Sequence, residues 1–302
     1  MMYDTSKFRG IFVAFNSLFD SEDKVYISSI KKLVRKYRET GVTGLYLCGS
    51  TGEGIMMSVE ERKQLTEAVM EEVGGEMVII VHVGACATKD AVELAKHTQQ
   101  VGADAVSAVP SIYYRLPEES IKLNWDMISE AADLPFFIYN IPALTGYNLT
   151  LDLFKKMLQN PRVCGIKNSS DSSWQIERFK TIGGKDFVVF NGPDEQYLGG
   201  RMLGADAGIG GTYGAMPELY VHLESLIQKG DMKNARIWQQ RINECIFALL
   251  DCPSLYGASK GVIFHRYSID CGQPRKPLLP VDPNSEKVLH ATKLIENYVS
   301  MI

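Results

Sequence analysis

At 302 residues, 45% of them hydrophobic and 23% charged, the chain can bury one large core, and length alone would permit two domains. Its formal net charge of -4 leaves no basic excess to neutralise a phosphate backbone or grip an anionic bilayer, which argues against nucleic acid and membrane as partners. Six cysteines (Cys48, Cys86, Cys164, Cys245, Cys252, Cys271) form no CxxC pair, and no apolar run reaches signal-peptide or membrane-helix character, so a cytoplasmic protein without disulfides is expected.

Short β-rich apolar runs recur along the chain, at 11–15, 44–48, 78–83, 105–109, 136–140, 163–167, 187–191 and 207–210. Helical patterns separate them. Ile27, Ile30, Val34 and Tyr37 form one stripe that Gly41 should end, and Ser58-Val59-Glu60-Glu61 reads as a capping box opening a helix that Gly74-Gly75 stops. Strands alternating with helices imply parallel pairing, and Val78-Ile79-Ile80-Val81 is apolar on both faces, as a sheet covered by helices requires. The pattern predicts a closed (β/α)8 TIM barrel. Beyond strand eight, helical periods near 216–229, 232–250 and 284–300 are interrupted by Pro253 and the Pro274 to Pro283 stretch. No linker divides the chain, so the expected organisation is a catalytic barrel, 1–230, with a helical C-terminal extension, 231–302.

Active sites of such barrels lie at the C-terminal ends of the strands. Strand six ends Gly165-Ile166-Lys167-Asn168-Ser169; with Ile166 facing the helices, Lys167 points into the barrel mouth. A free lysine is almost wholly ammonium at pH 7, whereas attack on a carbonyl needs the amine, which a low-dielectric strand end favours and a surface loop does not. Taken alone, Lys167 reads first as a solvated or ion-paired strand end. Tyr139, ending strand five, places a phenol at the mouth for proton relay, although by itself it reads as packing.

The loop Gly49-Ser50-Thr51-Gly52-Glu53-Gly54 offers two hydroxyls and exposed amides suited to a carboxylate; it lacks the lysine of a phosphate loop. Strand seven runs into Asn191-Gly192-Pro193-Asp194-Glu195, whose two acids suit a polyol, a metal, acid–base work or helix capping. The five histidines do not cluster, so no metal and no cofactor is expected, and lone histidines are read as structural. Gly208-Ile209-Gly210-Gly211-Thr212, at strand eight, suggests close backbone approach to a substrate.

Together the GSTGE segment at 49–53, the Tyr113-Tyr114 pair, YNIP at 139–142, GIK at 165–167 and GxDE at 192–195 resemble the N-acetylneuraminate lyase and dihydrodipicolinate synthase family of class I aldolases. The resemblance spans nearly the whole chain. It implies that Lys167 forms a Schiff base with a 2-keto acid such as pyruvate, that Tyr139 relays protons, and that Ser50 and Thr51 hold the keto-acid carboxylate. It directs Tyr113 to a neighbouring subunit's site, where it joins Thr51 and Tyr139 in a relay, and implies a homotetramer. Asp194 and Glu195, with Ser169, Gly192 and Gly210, become candidates for a sugar-acid chain.

Within the family, dihydrodipicolinate synthases usually carry an arginine where this chain has Leu144. That substitution, Ser50 and the Asp194-Glu195 pair favour the N-acetylneuraminate lyase branch. Gly211 stands where sialate lyases usually have serine, withholding a hydroxyl from the sugar; a serine there is expected to improve binding. The alternatives are a dihydrodipicolinate synthase, another pyruvate-dependent sugar-acid aldolase, or a noncatalytic sugar-acid-binding regulator.

Overall fold

The computed structural model describes residues 3–302. Eight parallel strands pair in chain order: β1 (Gly10–Ala14), β2 (Gly44–Leu47), β3 (Val78–His82), β4 (Ala105–Ala108), β5 (Phe136–Asn140), β6 (Val163–Asn168), β7 (Val188–Asn191) and β8 (Ala207–Gly210). β8 returns to β1 and closes a TIM barrel. The eight apolar runs coincide with these strands, because each strand is buried on both faces and therefore reads as continuous hydrophobicity.

Side chains alternate between two apolar layers. Ile11, Val13, Leu45, Leu47, Ile138 and Ile166 face the helices. Phe8, Phe12, Tyr46, Phe137, Tyr139 and Phe190 fill the barrel. Edge-to-face ring contacts run through that interior, Phe8 to Phe137 at 4.9 Å, Phe137 to Phe190 at 5.3 Å and Phe12 to Phe190 at 5.4 Å. Burying each ring contributes about 2–3 kcal/mol, and together they close the floor beneath the mouth to water. Gly165 makes room for this packing, since a Cβ there would stand 2.7 Å from the Phe137 ring.

Crossover helices α1 (Ile27–Glu39), α2 (Val59–Val73), α3 (Thr88–Gln100), α4 (Glu118–Glu130), α5 (Pro142–Thr145), α6 (Leu151–Met157), α7 (Trp174–Gly183), α8 (Tyr197–Met202) and α9 (Pro217–Gln228) join the strands and follow β8. The capping box of α2 is formed: the Glu61 N–H donates to Ser58 Oγ at 3.2 Å, and the Ser58 N–H donates to Glu61 Oε2 at 2.8 Å. The buried face of α1 is Ser29, Ile30, Leu33, Val34 and Tyr37; Ile27, the first residue of the helix, is partly exposed rather than part of the stripe.

α10 (Met232–Leu250), α11 (Leu255–Tyr267) and α12 (Glu286–Val299) form the C-terminal extension. Of these, α11 had no counterpart in the sequence periodicity. Residues 257–263 are all buried, and Gly257 and Gly261 interrupt any apolar stripe, so the helix lacks the polar face that makes a 3.6-residue period visible. Among the described residues no helix is long and apolar enough to cross a membrane.

Candidate active site

Lys167 is the penultimate residue of β6, with its side chain inside the barrel and only 5% of the residue exposed, while Ile166 packs outward. Its Nζ lies 4.1 Å from the centre of the Tyr139 ring and 4.6 Å from that of Tyr46. Tyr139 and Lys167 are register partners on β5 and β6, so strand pairing sets their proximity. Tyr46 is fixed by donating its hydroxyl proton to Ser107 Oγ at 3.0 Å. His82 stands edge-on to Tyr139, 5.9 Å between ring centres. Burial holds the His82 pKa down at about 3, so the ring is neutral; its Nδ1 pairs with the Cys48 carbonyl and its Nε2 accepts the Val109 N–H. Both ring nitrogens are therefore spent on structure.

Above Lys167 opens a cavity of about 270 Å³. The β2 loop brings Ser50 and Thr51 to its wall, held from below where Ser17 Oγ donates to the Gly52 carbonyl at 2.5 Å. From the ends of β6 and β7 come Ser169 and Gly192, which touch so closely that a Cβ on Gly192 would lie 2.0 Å from Ser169 Oγ. Asp194 and Glu195 also line the cavity, in different states. The buried Asp194 carboxylate accepts the Gly211 N–H (3.2 Å), the Thr212 N–H (2.6 Å) and the Thr212 hydroxyl (2.5 Å), which ties β7 to the β8 loop. Burial raises its pKa to about 6 against the opposing pull of those Thr212 hydrogen bonds. Glu195 is exposed, and its backbone carbonyl accepts from Asn243 Nδ2 at 3.1 Å.

The glycines of the β8 loop divide. Gly211 lines the cavity, but Gly210 is not part of its wall: a Cβ there would meet the Tyr213 ring at 2.0 Å and Asp194 Oδ1 at 2.5 Å. The close approach foreseen at Gly210 is thus to the protein's own tyrosine and aspartate rather than to a substrate. Gly211 stands close to the β2 loop, because a Cβ added to it would lie 2.9 Å from Thr51 Oγ1. A side chain at 211 therefore requires the Thr51 hydroxyl to shift.

Tyr113 does not line this cavity. It is 89% exposed, stacked edge-on against Tyr114, and held at φ +82°, a backbone conformation that strains a bulky side chain. Conversely, the structure adds wall residues that the sequence reading passed over. Asn16 follows β1 and was discoverable by the rule of inspecting polar residues just past each strand. Tyr256 and Ser259 carried no such signal, since they belong to α11.

Lys167 is the only cationic residue lining this cavity among the described residues, whereas Asp171, Asp194 and Glu195 supply three acids. Leu144, at the rim, is apolar and 60% exposed. No cluster of three metal-ligating side chains is found among the described residues.

Residues 7–295 match the model of the dihydrodipicolinate synthetase family. The chain belongs to that family. Within it, the chain is 41% identical to an N-acetylneuraminate lyase of Mediterraneibacter gnavus over 297 residues, 97% of this chain and 94% of that one. It is 36% identical to an N-acetylneuraminate lyase of Citrobacter koseri over 288 residues, 95% of each chain. Among solved structures, the wild-type sialic acid aldolase of Ruminococcus gnavus shares the fold at a TM-score of 0.96 and 40% identity, covering 98% of this chain and 99% of that one. A Clostridium difficile protein solved in complex with mannosamine is similar at a TM-score of 0.90 and 30% identity, covering 96% and 99%. The family assignment makes the chain a class I aldolase, a carbon–carbon lyase, as the sequence motifs implied.

Proposed function

We propose that the chain is an N-acetylneuraminate lyase, cleaving the open-chain sugar acid reversibly to pyruvate and N-acetylmannosamine. The observation that carries this choice of substrate is the charge of the cavity wall: one cation, Lys167, and three acids. A substrate with a second carboxylate would need a second cation, and Leu144 supplies none where a dihydrodipicolinate synthase usually has arginine. A neutral polyol chain instead finds acceptors in Glu195 and Asp171 and small polar groups at Ser169 and Gly192. Asp194 supports that wall by anchoring Gly211 and Thr212.

In this reading the Lys167 amine adds to the C2 carbonyl and water leaves, giving an iminium. Tyr139 relays the proton of the C4 hydroxyl as the C3–C4 bond breaks, accepting it while its own phenol proton passes to the substrate carboxylate. The electron pair of the broken bond flows into the iminium, and the aldehyde sugar departs from an enamine of pyruvate. Protonation at C3 and addition of water then release pyruvate and restore the amine. Ser50, Thr51 and their amides hold the carboxylate throughout, with no metal or cofactor required. The presence of both Lys167 and Tyr139 at the barrel mouth, the amine 4.1 Å from the ring centre, argues against a noncatalytic regulator.

The barrel, 1–230, and the extension, 231–302, act as one catalytic unit, because α11 contributes to the cavity wall. We further place the enzyme in the cytoplasm, supported by six unpaired cysteines. It works as a homotetramer in which the strained, exposed Tyr113 completes a neighbour's relay with Thr51 and Tyr139. The test is chemical trapping. Pyruvate with borohydride should reduce the imine and add a permanent mass to the peptide bearing Lys167, and sialate should yield pyruvate in a coupled assay. Active protein left unmodified at Lys167 would refute the mechanism; faster cleavage of another sugar acid would change the substrate.

A further inference from the structure

Glu53 ends the GSTGE segment, yet it does not line the catalytic cavity. Its side chain is fully buried and its backbone sits at φ +54°, in the left-handed region that non-glycine residues enter at a cost. One carboxylate oxygen accepts from Lys260 Nζ at 2.7 Å and the other from the Arg275 N–H at 2.7 Å. Lys260 is 2% exposed, donates also to the Gln273 carbonyl at 3.2 Å, and lies 4.8 Å from the centre of the Phe19 ring. Arg275 covers the other part of this cluster, stacking over Phe19 at 4.1 Å while pairing with Asp23 and, through both guanidinium ends, with Glu61.

A buried ion pair is a poor stabiliser compared with apolar residues of the same shape, because desolvating both charges offsets their attraction. What the pair does have is definite placement. Glu53 lies two residues after Thr51, and Lys260 lies one residue after Ser259 and four after Tyr256 on α11. The two charges therefore join, across the interior, the loop that presents Ser50 and Thr51 and the helix that forms another wall of the same cavity. The residues are 207 positions apart in sequence. Without the pair, nothing else described here directly links the carboxylate of that loop to α11.

We propose that Glu53 and Lys260 are a positioning pair: they hold the 50–52 loop against α11 so that its hydroxyls and amides meet the keto-acid carboxylate while the carbonyl faces Lys167. This rests on the reading that Lys167 forms an imine with a 2-keto acid. The helical extension then has a catalytic purpose, as the outer anchor of the carboxylate site.

The experiment is borohydride trapping on Lys167 as a function of pyruvate concentration, in the full-length protein and in the uncharged, near-isosteric double variant Glu53→Gln/Lys260→Met. Melting curves establish that the variant is folded at the assay temperature. The half-trapping concentration should rise about tenfold, the scale of a misaligned charge-assisted hydrogen bond, with full labelling still reached at saturation. Lys260→Arg keeps the charge but displaces Glu53, and should raise the half-trapping concentration by less. If the double variant does not fold, Lys260→Arg decides alone. A folded variant with the wild-type half-trapping concentration overturns the positioning role and leaves only a structural one. Absence of trapping in the wild-type protein would instead refute the imine reading on which the proposal stands.

Discussion

Lys167 and Tyr139 are paired in register on adjacent strands, and the lysine Nζ lies 4.1 Å from the centre of the tyrosine ring. The ring packs beside the amine whether or not it carries a hydroxyl. Tyr139→Phe should therefore keep the fold and imine formation but lose proton relay. We expect kcat for sugar-acid cleavage to fall roughly a hundredfold to ten-thousandfold, the usual range for removing a general acid–base. Trapping of pyruvate on Lys167 should persist in the same variant. Unchanged cleavage by the phenylalanine variant would move the relay to another group.

Substituting Gly211 should harm the site. A Cβ there lies 2.9 Å from Thr51 Oγ1, and overpacking of this kind costs about 1–3 kcal/mol. Gly211→Ser should raise KM for the sugar acid, and Gly211→Ala, which adds the Cβ without a hydroxyl, should raise it by a similar factor. Steady-state kinetics on both variants checks this. A serine variant that binds better than the native protein would show that Thr51 yields easily and that the hydroxyl finds the sugar.

Asp194 should leave a pH signature on stability. Burial raises its carboxyl from 3.8 to about 6, so between those values the unfolded chain is ionised there while the folded protein keeps the proton. The stabilising contribution is complete below about pH 4 and is lost as pH rises through about 6, by at most about 3 kcal/mol. Asp194→Asn lacks this titration. Denaturation of both proteins across pH 4 to 7 should show the wild type losing ground to the asparagine variant as pH rises. A stability difference that is flat across that range would mean Asp194 does not titrate there.

Tyr113 should act across a subunit boundary. Lys167→Ala and Tyr113→Phe proteins, each nearly inactive, are expected to regain activity when their subunits exchange, because some hybrid sites combine an intact lysine with a neighbour's intact phenol. The strained φ and 89% exposure of Tyr113 motivate the expectation. Strictly additive residual activity in hybrids verified by mass would confine Tyr113 to packing.

Much of this protein was legible as a sequence. The eight strands announced themselves because burial on both faces writes an uninterrupted apolar run, and Lys167, Tyr139, Ser50 and Thr51 lie where such runs end. Local chemistry fixed these features, including the capping box at Ser58 and Glu61. Tertiary structure decided what depends on partners distant in the chain. The two neighbouring acids look equivalent in sequence, but Asp194 is buried and engaged by the β8 loop while Glu195 is exposed. Gly210 and Gly211 likewise separate only because Tyr213 stands against one and Thr51 beside the other. Helix α11 stayed hidden for the same reason that it matters: it is buried over its central residues, so it shows no amphipathic period, and its lysine meets Glu53 only after 207 residues of chain have closed around the barrel.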